Sequence, residues 1–231
     1  MSGRPASTML RFLCGERELG RSVPATRCRA VPGLPMLPCG KTVDIGAAPA
    51  RNIRANTSLE GACAMVSVEF VREMARYNEW QNTALGAAAA ALDSDALTRD
   101  RGAFFGSILA TLNHLLWADR LWMSRLAGWE APAGSMTENL SLCPTLACWA
   151  GDRARADGRI RLWAQRLRPA NLRGDLVWYS GLQGKDIVKP IATCVTHMFN
   201  HQTHHRGQVH AMLTAAGAET AATDLVFMPE E

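Results

Sequence analysis

From Met65 onward, apolar residues recur every three or four positions in four long stretches joined by short connections, and this periodicity constrains the fold more than any other feature of the chain. Between Val66 and Leu92, Phe70, Met74, Tyr77, Gln81, Leu85 and Ala88 repeat at helical spacing, and the alanine run 87–91 raises helix propensity further. A second stretch, Gly102 to Leu126, puts Phe105, Ile108, Leu109, Leu112, Leu115, Leu116, Trp122 and Leu126 on a broad face and stops at Gly128. The third runs from Pro144 and Thr145 to Leu167, ahead of Pro169. "GDLVWYSGLQGKDIVKP" differs in kind: Leu176 to Tyr179 alternate, "SGLQG" turns, and Ile187 and Val188 resume an extended pattern, which predicts a small hairpin. Pro190 can then open the last helix, where its missing N–H costs nothing, and that helix extends to about Ala216, before Gly217. The expected fold is all-α, a four-helix bundle with a small β-hairpin before the last helix.

Residues 1–64 read differently. They hold six of the eleven prolines and four of the seven cysteines, with no sustained period. Nine Lys and Arg against four acids leave this leader at +5, while the remaining 16 bases and 17 acids put residues 65–231 at −1. The basicity of the whole chain therefore gives the bundle no reason to seek nucleic acid or an anionic membrane. "MLRFLCGERELGR" breaks too early with charge to be a secretory signal. The leader is expected to be a disordered tail or translated sequence upstream of the true start, with residues 65–231 as the functional domain. In that part only Cys143, Cys148 and Cys194 remain, with no CxxC, which indicates neither a disulfide framework nor a thiolate zinc site. No run approaches the roughly 20 apolar residues of a membrane span. A soluble, cytoplasmic protein is expected.

Five of the six histidines crowd into "HMFNHQTHHRGQVH", residues 197–210. On a wheel of 100° per residue, the stripe of Ile191, Cys194, Val195, Met198, Val209, Met212 and Leu213 faces the same way as His201 and His205, whereas His210 turns to water. Two imidazoles one turn apart can share an ion, and burying their nitrogens without a partner would be costly. A third ligand is needed, and the sixth histidine, His114, sits mid-helix among mostly small neighbours such as Ala110, Thr111 and Ala118. "HQTHH" has the spacing of HExxH, but Gln202 stands where a metalloprotease needs its glutamate base, so a protease of that kind is excluded. No GxSxG, GxxxxGK[ST] or GxGxxG occurs in a fitting context.

"YNEWQN", "LNHLLWADRLW" and "HMFNHQTHHRGQVHAML" resemble the DinB family, the DNA-damage-inducible group of bundle metalloproteins, over roughly residues 66–216. The resemblance implies that His114, His201 and His205 bind a divalent metal, nickel or zinc. It also implies a metal-dependent enzyme, such as an S-transferase using a low-molecular-weight thiol or a related hydrolase. The alternative is a non-catalytic, stress-inducible metal-binding protein. Tyr77, His197, His204 and Gln208 are the candidates for contact with the ligands or the substrate; no catalytic residue is assigned. Expected partners are a small-molecule substrate or thiol and a second copy of the chain, since some of the seven tryptophans could line a dimer interface. Cys194 is read as a core residue rather than a nucleophile. The seven arginines of residues 153–173 are read as a solvated face.

Overall fold

The structure, a computed structural model, describes residues 65–134, 138–181 and 183–230. The expectations for residues 1–64 lie outside the described residues. Five helices and one hairpin follow: α1 (Val68–Ala90), α2 (Ser94–Thr98), α3 (Ile108–Ala127), α4 (Leu146–Arg166), β1 (Asp175–Ser180), β2 (Lys185–Pro190) and α5 (Ile191–Ala215). The four long helices form a bundle in which α1 and α3 each pack against both α4 and α5, and the antiparallel hairpin lies against α3 and α5. Three of the helices begin where a hydroxyl can accept an orphan N–H: Ser67 from Phe70, Ser107 from Ala110 and Thr145 from Cys148. Each such cap stabilises its helix by about 1 kcal/mol. Gly86, just before the alanine run, meets the Trp149 ring so closely that a Cβ there would stand 3.2 Å from it, which favours the smallest residue at that position.

The helix of the second periodic stretch, α3, starts at Ile108, not at Gly102. Gly102 and Gly106 adopt φ of 69° and 78°, and a tight turn closed by the Ala103–Gly106 bridge precedes the Ser107 cap. Phe105 therefore sits on a turn rather than a helix face. The stripe on α1 is also rotated from its expected setting. Phe70 is 41% exposed, whereas Val71, Ala75, Asn78, Asn82 and Ala89 are buried beside Tyr77, Gln81, Leu85 and Ala88. Asn78 and Asn82 draw α1 round because each has a buried partner, Arg206 and Asp157 respectively.

Those partners belong to a polar layer at mid-bundle. One apolar cluster gathers Leu85, Ala89, Leu112, Leu116, Trp149 and Leu213; another gathers Val71, Met123, Ile160, Val195, Met198 and Phe199. Between them on every long helix stand buried polar residues: Asn78 and Asn82 on α1, Asp119 on α3, Arg153 and Asp157 on α4, Gln202 and Arg206 on α5. Arg153 pairs with Asp119 at 2.8 Å and with Asp157 at 2.7 Å. The expectation of a fully solvated arginine face is thus corrected at Arg153, which is 2% exposed. Burial raises the carboxyls of Asp119 and Asp157, and the neighbouring Arg153 guanidinium opposes that rise. Two carboxylates and the two guanidiniums of Arg153 and Arg206 balance the charge of the layer.

Beyond α5, Gly217 turns the chain at φ 81° and the following segment runs back along α1. Tyr77 donates to the Thr223 carbonyl at 2.5 Å, Gln81 to Ala222 at 3.0 Å and Arg76 to Pro229 at 2.8 Å. No helix of the described residues is long and apolar enough to cross a membrane.

Candidate metal centre

On α5, His201 and His205 are one turn apart and their ring centroids stand 4.5 Å from each other. The His114 ring on α3 completes a triangle, 5.1 Å from His201 and 4.9 Å from His205. One ring nitrogen from each residue lies within 4.8 Å of the other two, and among the described residues no Asp, Glu or Cys joins this group. His114 Nε2 and His201 Nε2 are 3.1 Å apart. Two nitrogens bound tetrahedrally at about 2.0–2.1 Å to one ion would be separated by roughly 3.3 Å, so the spacing fits a shared cation. His114 and His205 are buried, and His201 is half-buried.

Burial sets the protonation of the three rings. It lowers the pKa of His114 to about 4 and that of His201 to about 2, each imidazole further disfavouring charge on its neighbours. Burial also lowers His205, against the opposing hydrogen bond from Gln208. All three are neutral at pH 7 and offer lone pairs, the form that ligates a metal. Gln208 Oε1 stands 2.7 Å from His205 Nδ1 and accepts a hydrogen bond from it, which favours the tautomer with the proton on Nδ1 and Nε2 bare. The Gln208 amide reaches in turn towards His204 Nε2 at 3.4 Å. Phe105, delivered by its turn, lies 4.0 Å from the His114 ring and 5.2 Å from His205, excluding water from that side. Asn139 is a further polar neighbour that favours protonation of His114.

In the metal-free protein these depressed values carry a pH signature. Below the unfolded value of 6.5 the unfolded chain binds protons that the folded rings refuse, so stability falls as pH drops, for His114 until pH passes about 4. The unfolding midpoint of chelator-treated protein should therefore fall from pH 7 to 4.5, and fall less in His201→Ala. Equal losses in the two proteins would contradict the assignment.

The family model described as the DinB family matches residues 65–231. The chain belongs to the DinB family. No curated protein is found to match it. Of the residues singled out in the sequence of this DinB protein, Gln208 touches His205 directly, and His204 packs its ring 4.7 Å from that of His205. His197 lies 5.8 Å from His201 and 5.0 Å from Trp122. Tyr77 is placed elsewhere: its hydroxyl is held by Thr223, its ring packs on Trp80, and Arg206 lies 5.2 Å over it. None of its hydrogen bonds or ring contacts reaches the three histidines. His210, expected to face water, is half-buried with Nε2 3.3 Å from the Thr220 hydroxyl. Cys194 is buried, and burial pushes its thiol up, as a core cysteine requires.

Sequence reasoning missed two supports of the site. The helical period puts Phe105 on a helix face, although the glycines at 102 and 106 bracket it as a turn residue. In the motif Gln202 marks only a missing base, yet its amide donates to Asp119 and, at 3.2 Å, to the Leu115 carbonyl. It therefore ties the helix carrying His201 and His205 to the helix carrying His114.

Proposed function

We propose that this DinB protein is a metal-dependent enzyme whose domain spans residues 65–231, with His114, His201 and His205 holding a divalent ion. Nickel and zinc suit a set of neutral imidazoles. The observation that carries the reading is the convergence of three ring nitrogens within 4.8 Å with no fourth protein ligand among the described residues. Three protein ligands are the arrangement of catalytic zinc-type sites, whereas structural sites are closed by a fourth. A bound ion would supply Lewis acidity, lowering the pKa of a thiol or water in the remaining position.

The chain's own residues do the rest. Gln208 holds the proton on His205 Nδ1, Phe105 shields the buried side, and His201, the least buried of the three, faces the approach. His197 and His204, both exposed and with rings 5.8 Å from His201 and 4.7 Å from His205, are the side chains in this reading that an incoming substrate would meet. Transfer of a low-molecular-weight thiol to a small electrophilic substrate, or a related hydrolysis, is the reaction class. A cytoplasmic location and a homodimer belong to the same reading. The lack of a carboxylate base in the cluster, among the described residues, favours a second reading in which the ion is bound without catalysis.

The test pairs elemental analysis with the rate at which glutathione, cysteine or bacillithiol is consumed by an arylating electrophile. About one nickel or zinc per chain is expected, with thiol consumption at least ~10-fold faster than in chelator-stripped protein. Stoichiometric metal without any rate difference would establish the non-catalytic reading. Protein that takes up no divalent ion would sink both.

A further inference from the structure

The last turn of α3, the end of α4 and the first residue of α5 meet beneath β1 around an open cleft of about 420 Å³. Arg125, Leu126, Trp163, Arg166, Leu176 and Ile191 are among the residues that line it. Ile191 is ten residues before His201, about 15 Å along the helix, so the cleft is separate from the histidine centre. Its walls are mostly aliphatic and aromatic, and its polar lining consists of Arg125, Arg166 and Asn171.

Neither cation of the cleft is neutralised by an acid among the described residues, and Arg125 is set apart by how it is held. Arg76, Arg120, Arg153, Arg155 and Arg161 each pair with a carboxylate. Among the described residues Arg125 and Arg166 do not. The Arg125 guanidinium is held instead by two indoles, 4.8 Å from the Trp122 ring and 5.1 Å from that of Trp178. Such stacking steadies a guanidinium and leaves its N–H edges free to form a fork with an anion. Burial pulls the pKa of Arg125 down, the mark of a charge partly stripped of water and not compensated by an acid. α5 also begins at Pro190 without a side-chain cap, so its positive end adds to the field. The volume lies in the range of small-molecule sites, which combine apolar walls with a few placed polar groups.

We propose that this cleft binds a small organic carboxylate, its head paired with Arg125 and Arg166 and its apolar body lying on Trp163 and Leu176. The charge selects an anion, the planar forks suit a carboxylate, and the walls demand a hydrocarbon body rather than a bare ion.

The test titrates the full-length, metal-loaded protein with octanoate, its neutral analogue octanamide, and acetate, following tryptophan fluorescence. Saturable binding of octanoate is expected, with octanamide and acetate at least ~10-fold weaker, because the first lacks the charge and the second the body. Arg125→Gln and Arg166→Gln should each weaken octanoate about tenfold. Arg166 is exposed, so its replacement keeps the test valid should the Arg125 variant fold poorly. Arg155→Gln should leave binding within twofold of the unaltered protein, and so should His205→Ala with its metal content assayed in parallel. Equal affinity for octanamide, or indifference to both arginine variants, would overturn the inference. Loss of binding in His205→Ala with retention in Arg125→Gln would also overturn it, by placing the carboxylate at the histidines. Because metal content is read independently, neither outcome is confused with failure of the metal-enzyme reading.

Discussion

Replacing Arg153 with methionine is expected to lower the unfolding midpoint by roughly 6–20 °C, from the ~3–5 kcal/mol cost of removing one partner of a buried ion pair and ~2–4 °C per kcal/mol for a domain of this size. The size follows from what remains behind. Asp119 and Asp157 are 1% and 3% exposed, and both lean on this guanidinium. Without it they face Arg206 alone, whose own pKa burial has already lowered to about 10. Either two poorly solvated carboxylates persist, or they take up protons and lose their best donor. Methionine fills the space of the arginine stem, so the loss reports the charge rather than a void. The double variant Arg153→Met, Asp157→Asn should recover part of the loss, since it removes one of the stranded charges. A single variant that melts within 2 °C of the unaltered protein would show that the polar layer does not hold the bundle together.

The second large effect concerns the ion. His114→Ala and His205→Ala should each weaken nickel or zinc binding by more than ~100-fold in chelator competition, beyond the ~10–100-fold typical of losing only an outer partner of a ligand. Gln208→Ala should fall in that smaller range, because it removes the acceptor that fixes the His205 tautomer and leaves all three nitrogens in place. The order of the effects is the discriminating result. If Gln208→Ala matched His114→Ala, Gln208 would have to be a ligand in its own right. If His114→Ala retained full metal, the ion would sit on α5 without α3.

Much of the architecture was legible because long apolar periods have few alternative readings. The four major helices, the hairpin between residues 175 and 190, and the convergence of His201 with His205 follow from spacing alone. What escaped was the polar interior. Asn78, Asn82, Gln202 and Arg206 are buried, yet a wheel that scores burial by hydrophobicity counts each of them against the inward face. Arg153 was hidden in the same way among seven arginines, since only the three-dimensional position of Asp119, 34 residues away, distinguishes it from its exposed neighbours. Phe105 escaped for a local reason: an apolar residue three positions before a helix start fits the helical period equally well, and only the paired glycines betray the turn. The segment after Gly217 carries no periodicity because its attachment to α1 is made by backbone carbonyls, which every sequence supplies.

The amide of Gln202, clasped between Asp119 and Leu115, bears on any redesign of this scaffold. Greasy side chains alone would tolerate a helix that swivels by some tens of degrees about its axis, and such play would spoil a centre whose donors must agree to a fraction of an ångström. A keyed polar joint admits one setting. An engineer wishing to exchange the imidazoles for another donor set should therefore leave positions 119 and 202 alone, and change the chemistry while keeping the lock.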